Sequence, residues 1–285
     1  FSNFQTSFQR FDFSPKANAM ICQSGMFVLA SADFTTGLGM GLDIGNAADI
    51  GFADLLPCLA ADDRIQVINL HMESLTNGEQ FVRAAAEITR EKPIVAYKIG
   101  RSEQGARAAA SHSGALAGAD HGFSAAFDKA GIIRVDDLEE MQDLNKALLT
   151  WPTIKGRRIA IVSLSGGGGI AVLDALGRYG LEAAQPGPAT MAAIQALNPP
   201  WLKVGNPVDT WLAALQYGLA GATARILGLL LSDDEVDGAI VLLNAYRTTG
   251  FEVMEPMLGG IAEEAGKHMD KPVALWAFGL NQQAV

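Results

Sequence analysis

The stretch IAIVSLSGGGGIAV, Ile159 to Val172, passes from an aliphatic run through a Ser-Gly turn into a second apolar segment. Residues 159–164 are apolar or small without alternation, which predicts a strand buried on both faces. The glycines predict a tight turn into a helix starting near Gly168. Strand, glycine turn and helix in that order open a β-α-β unit, and so a parallel sheet. The same order occurs near the other end of the chain in AMICQSGM (19–26), with a strand at 19–22 and a helix from about Gly25.

Outward from these two openings the alternation continues. The first half holds further strands at 65–70, 93–98 and 132–135 and helices over 78–90, 119–130 and 138–150. Within it, GLGMGLDIGNAAD (37–49) reads as a turn, a short strand and a Gly-Asn turn. The second half holds strands at 181–184, 238–245 and 272–279 and helices over 188–197, 215–231 and 252–268. Pro152, Gly156 and the basic cluster Lys155, Arg157 and Arg158 mark a seam between them. The expected fold is α/β: two flavodoxin-like domains, 18–150 and 151–285, each a parallel sheet flanked by helices. The irregular segment 1–17 reads as a linker or the tail of a preceding domain.

A net charge of −10 leaves no basic face for nucleic acid or an anionic membrane. No apolar run reaches the ~20 residues of a membrane span. Cys22 and Cys58 stand alone, form no metal pair and point to a reducing, cytoplasmic setting. No metal site is expected.

Chemistry concentrates at the turns. Ser165, Gly166, Gly167, Gly168 and Gly169 precede a helix, so their backbone N–H groups and the helix dipole suit a phosphate. The segment also fits G-x-G-x-x-A, but Gln185 stands where a dinucleotide fold carries an acid, and no Lys-Ser/Thr follows for a Walker loop. A purely structural turn is the third reading. Ser24 and Gly25 form a shorter turn of the same kind, for which a plain helix cap is the alternative. Glu73, in HMES (71–74), falls at the carboxyl edge of the first sheet, as a general base, a partner for a histidine or a solvated acid. His112 lies in ASHSGALAG (110–118), expected to be a loop after strand 93–98, on the same sheet edge as Glu73. Ser111, Ser113 and Gly114 leave room beside its ring and supply small donors. An imidazole held neutral by a carboxylate is a nucleophile toward phosphorus, although an ordinary loop histidine is the simpler alternative.

Taken together these residues resemble the NDP-forming acyl-CoA synthetases, the acetyl-CoA synthetase (ADP-forming) branch of the succinyl-CoA synthetase superfamily. The phosphohistidine motif S-H-[TS]-G-x-[LI]-A-G is matched by Ser111 to Gly118, the SQSG turn by Gln23 to Gly25, and the GN-A-D turn by Gly45 to Asp49. Glu73 lies 39 residues before the histidine, Ser165 to Gly169 match the second glycine turn, and NPVD is Asn206 to Asp209. The resemblance implies that His112 carries a phosphoryl group, that Glu73 orients it, and that both glycine turns bind phosphate. It also implies weaker CoA or acyl contacts at Gly45, Asn46, Asn206 and Asp209.

The implied reaction interconverts acyl-CoA, ADP and phosphate with an acid, CoA and ATP. The implied partners are an N-terminal CoA-binding domain, an ATP-grasp domain or subunit and a small-molecule acid. CoA and ATP/ADP with Mg would be bound mainly by those missing parts, in an oligomer. His71 departs from the family's usual Tyr, and Asp43 replaces a small residue before Gly45. The alternative is a catalytically incomplete regulatory or sensor module for CoA thioesters or phosphate. Because the protein-acetylating branch loses the histidine, His112 favours the ligase.

Overall fold

The computed structural model describes residues 16–113, 120–151, 154–245 and 250–279. The chain divides into two compact units between Thr150 and Trp151, each built on its own parallel sheet.

The first unit runs β1 (Asn18–Cys22), α1 (Gly25–Phe34), β2 (Met40–Asp43), α2 (Phe52–Ala60), β3 (Val67–Met72), α3 (Gly78–Ile88) and β4 (Ile94–Lys98). It continues through α4 (Glu103–Ser113), α5 (Asp120–Ala130), β5 (Ile133–Val135) and α6 (Leu138–Thr150). Its strands lie in the order β2-β1-β3-β4-β5, the flavodoxin arrangement. β1 and β3 are buried at every residue, which is why they show no alternation of polar and apolar residues. Ala19, Ile21, Leu70 and Met72 pack with Leu56 of α2, Phe81 of α3 and Phe127 of α5. Met20, Cys22, Val67 and Val95 face the other way, toward Val28 of α1 and Met141 of α6. Asn69 and Asn145 exchange two amide hydrogen bonds of 2.9 and 2.8 Å, which tie α6 to β3 without a buried unpaired amide.

His71 differs. It is fully buried, its ring stacks on Phe27 with centroids 3.9 Å apart, and neither ring nitrogen has a hydrogen-bond partner among the described residues. Burial pushes its pKa down from 6.5 to about 4. The core therefore holds a neutral imidazole as an aromatic plate.

The second unit runs β6 (Arg158–Ser163), α7 (Gly166–Arg178), β7 (Glu182–Ala183), α8 (Pro188–Ala196), β8 (Val208–Asp209) and α9 (Trp211–Tyr217). It continues through α10 (Leu219–Leu231), β9 (Gly238–Asn244), α11 (Phe251–Lys267) and β10 (Val273–Phe278). β9 pairs with one edge of β6. The other edge is shared: β7 takes Arg158 and Ile159, and β8 takes Val162 and Ser163. The carboxamide of Asn206 fills the gap between them. Its Oδ1 accepts from Ile161 N at 2.8 Å, and its Nδ2 donates to Ile159 O and Ala184 O at 2.9 Å each. One side chain does the work of a missing strand residue.

Four local expectations change. Residues 103–113, including the first four residues of the expected histidine loop, form α4, because the alanine run favours helix and the Glu103–Arg107 pair spans one turn. α2 forms despite Pro57 inside it, which hides it from a helix pattern. α7 begins at Gly166 rather than Gly168, because Ser165 caps it and accepts from Gly168 N. The single helix expected over 215–231 is two, turned by 119° at Gly218, whose φ of 75° suits glycine alone.

Replacing Asn206 by Ala removes three hydrogen bonds and orphans the Ile161 N–H of β6. We expect a loss of about 3 kcal/mol, seen as a lower urea midpoint. His71 sets an acid limit. The unfolded imidazole binds a proton below about 6.5 and the folded one only near 4. Its contribution is complete above pH 6.5 and is lost as pH falls toward 4, by roughly 3 kcal/mol. His71→Phe should flatten the pH dependence of stability across that window, and an unchanged slope would refute the assignment.

Candidate functional site

In an open parallel sheet, ligands bind beyond the carboxyl ends of the strands, where the direction of winding reverses. In the first unit that point lies between β1 and β3. Gln23, directly after β1, bridges it: its Oε1 accepts from Glu73 N at 2.7 Å and Ser74 N at 3.0 Å, and its Nε2 donates to Ser74 Oγ at 3.2 Å. The amide is buried, so it fixes the backbone that carries the half-buried Glu73. Gln23 is a residue whose role sequence reasoning missed. Its place before Ser-Gly was the available signal.

Ser24 and Gly25 open α1 at the same edge. Ser24 has extended backbone at the N-cap, but its hydroxyl makes no capping bond. The first N–H groups of the helix therefore point outward without a side-chain acceptor of their own. Next to them β2 ends at Asp43, whose Oδ1 accepts from Gly45 N at 2.9 Å. Gly45 and Asn46 thus follow an Asx turn on the outer strand, and Asp43, the departure from the family pattern, closes that turn.

On the far side of β3, β4 ends in Lys98, which is 1% exposed. Its ammonium bonds Ile99 O and lies 4.6 Å from the centroid of the Phe123 ring. No carboxylate stands within 4 Å of it among the described residues. Burial draws its pKa down; Asp120 and Glu73 act against that shift and Arg134 with it. Arg134 in turn pairs with Asp120 at 2.5 Å. Ser111, exposed, and the backbone of His112 and Ser113 lie in α4. Gly114 and the rest of the motif through Gly118 lie outside the described residues.

The second unit carries its own site at the end of β6. Ser163 and Ser165 clasp each other: Ser163 Oγ donates to Ser165 O at 2.7 Å and accepts from Ser165 N at 3.0 Å. The four glycines that follow fall into two kinds. A Cβ on Gly168 would meet Leu242 at 2.9 Å, and one on Gly169 would meet Pro207 at 2.9 Å, so these two let α7 lie against the sheet. Gly166 and Gly167 have nothing within 4 Å of such an atom, and they leave the helix start open to an approaching anion. Asp209 is exposed beside this turn and accepts from Trp211 N at 2.9 Å. Asn206, by contrast, gives its carboxamide to the sheet. Gly169→Ala should cost about 1–3 kcal/mol through overpacking, whereas Gly167→Ala should leave thermal stability unchanged or higher; equal losses would dissolve the distinction.

Residues 15–148 match the model of the succinyl-CoA ligase like flavodoxin domain. The chain is 34% identical over 259 residues to the alpha subunit of acetate–CoA ligase (ADP-forming) II of Pyrococcus furiosus, covering 90% of this chain and 56% of that one. It is 33% identical over 204 residues to 4-hydroxybutyrate–CoA ligase (ADP-forming) of Nitrosopumilus maritimus, covering 69% of this chain and 29% of that one. Among solved structures, the dinucleotide-forming acetyl-coenzyme A synthetase 1 of Ca. Korarchaeum cryptofilum, in complex with phosphate and ADP, superposes with a TM-score of 0.78 at 27% identity. That match covers 93% of this chain and 57% of the synthetase. The chain thus spans just over half the length of the alpha subunit and the synthetase. Residues 15–148 are a succinyl-CoA ligase like flavodoxin domain, and the chain is a homologue of the ADP-forming acetate–CoA ligases.

Proposed function

We propose that the two units form the central part of an ADP-forming acyl-CoA synthetase, with His112 as the phosphoryl carrier. The observation that carries this reading is the 34% identity to an ADP-forming ligase subunit over nine-tenths of the chain. The architecture supports it. Glu73 is fixed by Gln23 at the switch point of the first sheet, next to an α1 start without a side-chain cap. Open glycines head α7 in the second unit. These features fit an inorganic or acyl phosphate.

The chain's own part is a relay. Phosphate and acyl-CoA give an acyl phosphate and free CoA. A neutral imidazole nitrogen of His112 attacks phosphorus, the bond from phosphorus to the acyl oxygen breaks, and the acid leaves as a carboxylate while the P–N bond forms. Glu73 accepts the imidazole's other N–H and stabilises the ring as charge develops. Transfer of the phosphoryl group to the terminal oxygen of ADP frees His112 and yields ATP. ATP with Mg supplies the phosphoryl donor when the reaction runs toward acyl-CoA. The backbone N–H groups at Ser24–Gly25 and Ser165–Gly169 hold the phosphate in each position. The adenine sites of CoA and nucleotide belong to further domains or subunits, and the setting is the cytoplasm.

Incubation of the full-length protein, with its partner subunit if it has one, with labelled ATP and Mg should give an acid-labile, base-stable label. His112→Asn should abolish it, and Glu73→Gln should slow its formation about 100-fold or more. Label that persists in His112→Asn would overturn the mechanism.

A further inference from the structure

Lys98 is the charged group that this relay leaves unused. A lysine almost wholly withdrawn from water, with no carboxylate within 4 Å among the described residues, is a standing cost unless an anion joins it. Its neighbours do not neutralise it at close range. The ammonium has Ile99 O and the face of Phe123. Asp120 of α5 is engaged by Arg134 at 2.5 Å and approached by Arg101 at 3.9 Å. Glu73 acts from the end of β3 at longer range.

The backbone ties this charge to the histidine helix. Ile99 N donates to Met72 O at 3.0 Å, so the residue that receives the ammonium is bonded to the peptide just before Glu73. One residue on, Gly100 lies against α4: a Cβ there would stand 3.4 Å from the Cβ of Ala109 and 3.5 Å from Gly105 O. Ala109 and His112 are three apart in one helix, so His112 holds the next position along the face that packs on Gly100. A phosphoryl group on His112 would carry nearly two negative charges, which a nearby cation would offset.

Resting on the phosphohistidine reading, we propose that Lys98 is a positioning residue whose buried ammonium, on the strand end that is bonded beside Glu73 and leads into the contact of Gly100 with α4, supplies the countercharge for the phosphoryl group. It acts through the electrostatics of the pocket and transfers no proton. It is retained there at the expense of stability.

The full-length protein, with any partner subunit, decides this through Lys98→Met, which keeps the stem volume and removes the charge. The proposal expects the rate of His112 labelling by ATP and Mg to fall at least tenfold. It also expects the KM for phosphate in the acyl-CoA-consuming direction to rise, and the melting temperature to hold or increase. Lys98→Arg, which restores a cation, should recover part of the labelling rate. A Lys98→Met protein that labels at the wild-type rate overturns the proposal. So does one whose loss of label comes with a lower melting temperature, since that outcome assigns Lys98 to the fold. If wild-type protein takes no label, or His112→Asn keeps it, the phosphohistidine reading fails instead, and the Lys98→Met comparison is not what decides it.

Discussion

A parallel sheet buried on both faces leaves its polar chemistry one outlet, the carboxyl edge of the strands. In the first unit every residue of β1 and β3 is inside, and Gln23, Glu73 and Lys98 stand where the strands reach that edge. The same burial demands that backbone groups be satisfied where strands stop pairing. Carboxamides meet that demand in both units: Gln23 across β1 and β3, Asn206 along the gap between β7 and β8. A carboxamide is suited to this, carrying donor and acceptor together like a peptide group without a net charge to desolvate.

That constraint explains which parts of the fold were legible. Runs such as VINL and IAIV announce buried strands because nothing on them has to face water. The carboxyl-edge position of Glu73 follows from where its run ends. The features that escaped are those whose cause is tertiary. β8 is two residues long and exists because Asn206 and β6 hold it. α2 tolerates Pro57 because Phe52, Leu56 and Leu59 are buried against the sheet. α4 hides in a run of alanine, serine and glycine that carries no apolar stripe, so periodicity has nothing to report.

The site shows the same division. Sequence order places Glu73 at the carboxyl edge of the sheet, whereas the CoA or acyl contact that the resemblance implies for Asn206 falls on an amide that the structure commits to the sheet. Lys98 closes PIVAYK, and nothing in that run singles it out. In the structure its stem lies inside the sheet's helical cover, and its ammonium ends on a carbonyl and an aromatic face. Residue type alone cannot reveal that burial, because snorkelling lysines look identical in sequence.

The two glycine-led helices look alike in sequence, yet they are not physically equivalent. Ser165 turns its hydroxyl onto Gly168 N and uses one of the donors that an anion would want. Ser24 makes no such bond, so no capping side chain occupies the first N–H groups of α1. α7 compensates with two glycines whose surroundings are empty and which admit close backbone approach. A capped helix with an open glycine face favours a ligand that comes and goes with little rearrangement of the protein. An uncapped one gains more from the anion itself, because part of the helix end is satisfied only when the ligand is present. If one phosphoryl group visits both kinds of site, the tighter hold belongs on the α1 side, in the unit that also carries Glu73 and His112.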